Sequence, residues 1–243
     1  MLGPSPTTAI QYLLFFFLLV LAPLWDFYDT RRLKRSPSSA GKLRYYKTLC
    51  AWLWIATVVA CLGVGWRALF TISPALDEIP WLLHVWVRYL ADIVIAAVVV
   101  VVVLLPVAIV VWKKLKKQPR KYSSADALQA FSYFFPATRS ERRWFAFVCI
   151  TAGICEETLF RGFLLHYLHV IPWTLNLTLA LLISSVIFGL NHLYAGVGGV
   201  ASNIVFGFLL GLLFLLTGNL LLPIVLHAVM DLRMLVVLRP PVD

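Results

Sequence analysis

Charge is scarce in this chain. Only 13% of its 243 residues are charged, and the acids are the rarer sign, 11 Asp and Glu against 21 Lys and Arg. Cysteine is sparse as well: Cys50, Cys61, Cys149 and Cys155 form no CxxC pair, which argues against a disulfide framework or a thiolate metal site. All four lie in apolar stretches and read as small buried hydrophobes. No HExxH helix is present, and no internal repeat. No basic residue precedes the first apolar run and no small-residue cleavage site follows it, so the run is expected to be an anchor and not a cleaved signal.

What the chain does contain is apolar sequence. Hydrophobic residues make up 61%, with a mean hydropathy of +0.88, beyond the near-half share of soluble domains. The fold class expected is all-α, a polytopic transmembrane helical bundle. At about 20 apolar residues per span, the length allows roughly seven crossings and no separate soluble domain. Spans are predicted at about 8 to 25, 48 to 66, 85 to 112, 144 to 166, 174 to 193, 199 to 217 and 219 to 238.

The placement of Lys and Arg sets the orientation. Seven lie in residues 31–47 and nine in residues 113–143, and short basic loops stay in the cytoplasm. Seven crossings put both loops, Arg233 and Arg239 on that one side, with the N-terminus outside. Within the second loop, SSADALQAFSYFF has a serine cap followed by apolar residues at helical spacing, which predicts a short helix on the membrane surface. Topology and contact with the lipid bilayer thus account for the net charge of +10. No nucleic-acid partner is expected, and the sequence carries no signal of oligomeric state.

Charged residues inside spans face a protein interior or a water-filled cavity and mark function. In the last four spans these are Glu156, Glu157, Arg161, His192, His227 and Asp231. Glu157 and Arg161 are four apart, acid first, so they share a helix face and pair. Glu156 is turned about 100° away, and a carboxylate without a cation is available as a general base for water. Phe188 and His192 share a face of the next span. His227 and Asp231 are again four apart, and Asp231 is expected to fix the ring of His227 so that its other nitrogen donates to a developing oxyanion.

Counting about 1.5 Å per residue, Glu156 and His227 fall near the same depth, roughly 18 Å and 12 Å from opposite ends of their spans. His192 falls near a cytoplasmic end, which requires a tilted or re-entrant helix or a cavity opening beside the glycine-rich AGVGGVASN. The bland reading is that a buried Glu/Arg pair and two histidines tie helices together. His84, His166 and His169, near span ends, read as interfacial.

These motifs resemble those of the CPBP intramembrane proteases, which include the type II CAAX prenyl endopeptidases and bacterial relatives linked to bacteriocin processing and immunity. The family pattern is EExxxR on one transmembrane helix, FxxxH on the next and HxxxN or HxxxD on a later one. This chain carries Glu156-Glu157-Thr158-Leu159-Phe160-Arg161, Phe188-Gly189-Leu190-Asn191-His192 and His227-Ala228-Val229-Met230-Asp231 in that order. The resemblance covers roughly residues 144 to 238. It implies a division into N-terminal transmembrane helices (1–143) and a protease core (144–243) of four helices.

The activity implied is endopeptidase cleavage of a membrane-associated protein or peptide precursor. Glu156 and His192 would activate water, His227 and Asp231 would stabilise the oxyanion, and Glu157, Arg161 and Phe188 would support the site. Asp stands where prenyl endopeptidases typically have Asn, and an ionised Asp231 cannot donate to an oxyanion. No cofactor is required on this reading, although Glu156, His192, His227 and Asp231 would suit zinc by type. A bacterial inner membrane is the location that basic-inside topology and compact length favour. The alternatives are a non-catalytic binding, regulatory or immunity protein of the same fold, and a redox or transport protein with His192 and His227 as haem ligands or the buried acid as a proton site.

Overall fold

The computed structural model describes residues 6–65, 133–170 and 175–237. The predicted span at 85 to 112 lies outside these residues, as do His84, Arg239 and most of the predicted surface helix. The regular elements described are helices: α1 (Pro6–Phe16), a π segment (Phe17–Leu21), α2 (Ala22–Arg35), α3 (Ser39–Val64), α4 (Arg139–Glu157), a second π segment (Thr158–Leu164), α5 (Leu165–Val170), α6 (Leu177–Leu190), a 3-10 turn (Leu193–Ala195), α7 (Gly196–Thr217) and α8 (Leu221–Val237). Three helical runs, Thr8–Arg35, Ser39–Val64 and Leu193–Thr217, are long and apolar enough to cross a membrane. The chain is an integral, multi-pass membrane protein.

The first basic loop is shorter than expected. Residues 31–35 finish α2 and residues 39–47 begin α3, because Lys and Arg are good helix formers and only Ser36, Pro37 and Ser38 interrupt them. Ser38 caps α3, its Oγ accepting from Gly41 N at 3.1 Å. The predicted span at 174 to 193 is also shorter. α6 has 14 residues, about 21 Å long against a hydrocarbon core of about 30 Å. At its end Asn191 Nδ2 bonds Ile187 O at 2.8 Å and His192 N bonds Gly189 O at 3.0 Å, which tightens the last turn.

α4 packs against α3 and α8, α6 against α7, and α1 against α3. One apolar cluster joins α1, α3, the second π segment, α6 and α7 through Leu159, Phe163, Leu164, Phe188 and Phe214. A second joins α3 to α4 through Tyr45, Tyr46, Phe145 and Cys149. Large apolar side chains such as Leu13, Ile55 and Leu62 are exposed on outer faces, as a lipid-facing surface requires. The four cysteines are free, and three are buried.

The chain before α4 is pinned by polar contacts. Lys42 Nζ donates to Phe135 O at 2.7 Å and lies 3.6 Å from Glu141 Oε2. Ala137 N donates to the same carboxylate oxygen at 2.7 Å, while Thr138 Oγ1 caps α4 by accepting from Glu141 N at 3.2 Å. One cation, Lys42, and one carboxylate, Glu141, thereby hold the start of α4 to α3, and α4 carries Glu156 and Glu157.

Candidate active site

Glu156 and Glu157 end α4, where the helix widens into the π segment that contains Arg161. Such bulges are frequent at functional sites because they turn side chains away from the regular α repeat. Arg161 Nη1 still reaches Glu157 Oε1 at 2.9 Å, and both side chains are buried. The guanidinium also donates from Nη2 to Gly207 O at 2.8 Å and lies 4.5 Å from the centre of the Phe188 ring, a cation–π contact. Gly207 is small by necessity: a Cβ there would lie 2.9 Å from Phe188 Cδ1 and 3.3 Å from Arg161 Nη2.

α8 approaches α4 closely at another glycine. A Cβ on Gly153 would lie 2.9 Å from Ala228 N and 2.9 Å from Ile224 O. This close approach brings His227 to the glutamates. His227 Nδ1 lies 2.7 Å from Glu157 Oε1, and Nε2 lies 3.9 Å from Glu156 Oε2 and 3.7 Å from Asp231 Oδ2. The carboxylate that holds Nδ1 is therefore Glu157, whereas the four-residue spacing alone points to Asp231. Helical spacing shows which residues share a face, but the shorter reach here runs between helices. Asp231 is the most open of the three carboxylates, with its side chain 41% exposed.

Glu157 is saturated on one oxygen by Arg161 and His227 together. Glu156 accepts no hydrogen bond at its buried Oε2, and its side chain retains 14% exposure toward a cavity of about 850 Å³. His192 lines the same cavity. Its Nδ1 lies 3.0 Å from Phe188 O; because a carbonyl can only accept, Nδ1 carries the proton and Nε2 is left as an acceptor. The short α6 explains how a residue near a helix end joins the others: a cavity opens between that end and α7. Phe188 is packed between Arg161, the His192 ring at 4.9 Å and the His227 ring at 5.9 Å.

Glu156, His192, His227 and Asp231 thus line one cavity, with Glu157, Arg161 and Phe188 behind them. Among the described residues no group of three His, Cys, Asp or Glu side chains is arranged to hold a metal ion. His166 is half-buried, and His169 Nδ1 bonds Leu175 O at 2.8 Å, an intersegment tie away from the cavity.

Sequence reasoning passed over Asn191. Its Nδ2 donates to Leu18 O at 2.9 Å, across to the first π segment. In that segment Ala22 N bonds Phe17 O, so the next donor in register for Leu18 O is residue 23, a proline without an N–H. Asn191 supplies the missing donor and anchors the His192 turn to the first helical run. A proline inside an apolar span was the available signal.

Comparison with known proteins agrees with the motifs. Residues 138–233 match the family model described as Type II CAAX prenyl endopeptidase Rce1-like. No curated protein and no solved structure matches the chain. The segment that carries all three motifs, residues 138–233, is thus similar to the CPBP/Rce1-like family of membrane proteins.

Proposed function

We propose that this protein is an intramembrane endopeptidase that hydrolyses a peptide bond of a membrane-associated protein or peptide precursor with a glutamate-activated water. The observation that carries the reading is the unequal use of two adjacent glutamates. Glu157 is held by Arg161 and His227, while Glu156 Oε2 accepts nothing and faces His227 Nε2 at 3.9 Å beside the cavity. The similarity of residues 138–233 to the family described as Type II CAAX prenyl endopeptidase Rce1-like suggests the reaction class.

In this mechanism Glu156 takes a proton from water while His192 Nε2 accepts the other water hydrogen and so orients the nucleophile. The oxygen attacks the scissile carbonyl carbon, and the carbonyl oxygen becomes an oxyanion. His227 donates from Nδ1 to Glu157, and in its doubly protonated form it also donates from Nε2 to that oxyanion. Asp231, 3.7 Å from Nε2, favours this imidazolium and steers its second N–H. Collapse breaks the C–N bond, and the proton held by Glu156 passes to the leaving amine. The setting inferred is a bacterial inner membrane.

The test compares protein termini by mass spectrometry in native membranes carrying wild type, Glu156→Gln or His192→Ala at equal expression. New termini confined to wild type support cleavage. Identical profiles, with the biological phenotype retained in both variants, would instead mark a binding or regulatory protein of the same fold.

A further inference from the structure

The cavity that holds Glu156 and His227 is not built from the family-matched segment alone. Phe17, Leu18, Trp25, Asp26 and Tyr45 also line it; all five lie before residue 138. Asp26 is the one acid among them. It is 8% exposed, it accepts from the Tyr45 hydroxyl, and among the described residues no Lys or Arg pairs with it. The neighbouring ion pair, Arg44 with Asp29 at 3.5 Å, belongs to the surface. A buried intramembrane carboxylate without a protein cation is expensive, and the Tyr45 hydroxyl holds it in place but brings no positive charge.

We propose that Asp26, oriented by Tyr45, is a substrate subsite that takes the cationic side chain of a Lys or Arg in the segment bound across the Glu156 site. This inference rests on the protease reading for its substrate, but not for its chemistry. Among the described residues the charged groups lining the cavity are Asp26, Glu156, Asp231 and Arg233, with His192 and His227; carboxylates outnumber guanidinium groups among them, which favours a cationic segment. The depth also fits. Asp26 follows the first apolar run and precedes the basic stretch 31–35, at the cytoplasmic end of its span, and membrane proteins carry their own juxtamembrane Lys and Arg at that level. The bond from Asn191 to Leu18 fixes this helix to the His192 turn, so the distance from subsite to catalytic groups does not drift with motion of the first helices.

The experiment uses the full chain in nanodiscs and two lipid-anchored apolar peptides that differ at one position, Lys in one and norleucine in the other. Binding is measured on Glu156→Gln, so that cleavage does not intervene, and cleavage of the same peptides is measured on the Glu156 protein. The Lys peptide is expected to bind about tenfold or more tightly, as a desolvated charge pair allows. That ratio should collapse toward one with Asp26→Asn and survive with Asp26→Glu, which guards against a folding defect. Equal binding of the two peptides, or a Lys preference retained in Asp26→Asn, would overturn the subsite. A Lys preference without cleavage of either peptide keeps the subsite and sinks the protease reading; cleavage without the preference does the reverse.

Discussion

His227 Nδ1 and Glu157 Oε1 lie 2.7 Å apart, although 70 residues separate them in the chain. The same oxygen receives Arg161 Nη1 at 2.9 Å. Two buried donors therefore share one acceptor, and removing it strands both at once. Glu157→Gln or Arg161→Met alone should cost about 3–5 kcal/mol, since each leaves an uncompensated buried charge. The double variant should cost less than the sum of the two. Unfolding in detergent by a probe of tertiary structure, run as a double-mutant cycle, checks this.

Glu156→Gln is expected to act differently. Its Oε2 has no hydrogen-bond partner to lose, so the unfolding midpoint should stay at or above that of wild type. Cleavage should fall by about 10²- to 10⁴-fold, the usual contribution of a general base. A variant that loses stability and activity together would mean that Glu156 is structural.

Asn191→Ala leaves the Leu18 carbonyl buried without a donor, at a cost of about 1–3 kcal/mol. Pro23→Ala restores an N–H in register with that carbonyl. Asn191→Ala should therefore be less damaging in the Pro23→Ala background than in wild type. Additive losses in the two backgrounds would show that the Asn191–Leu18 bond contributes nothing.

Gly153→Ala places a Cβ 2.9 Å from backbone atoms of Ala228 and Ile224, which cannot rotate aside. The two helices must separate, with an overpacking cost of about 1–3 kcal/mol. His227 moves away from Glu156 and Glu157 as they do. Cleavage should fall further than stability alone explains, which activity per folded molecule would reveal.

A mechanism run by Glu156, His192 and His227 alone predicts that cleavage survives exhaustive treatment with 1,10-phenanthroline. Loss of activity on chelation, restored by zinc, would require a metal in the site.

Much of the site was legible because membrane chemistry makes polar residues rare. Glu156, Glu157, Arg161, His192, His227 and Asp231 stand out in apolar runs, and the Glu157–Arg161 pair follows from one helical repeat. The partner of His227 was not legible in the same way: Asp231 is the neighbour in sequence, and only the approach of α4 to α8 at Gly153 makes Glu157 the closer acceptor. His192 looked misplaced because counting assumed a full-length span, whereas α6 stops after 14 residues. Asn191 and Asp26 carry no signal of their own, since an amide beside a motif histidine and an acid at a span end are both ordinary in sequence.

The sequence by itself determined that this is a membrane protein of apolar helices and which few polar side chains they bury, because both are local properties of composition and period. Tertiary structure decided which carboxylate is held and which is left facing the cavity. That choice depends on distances between helices far apart in the chain, set by glycines that permit close backbone approach and by a proline whose missing N–H is answered from another helix.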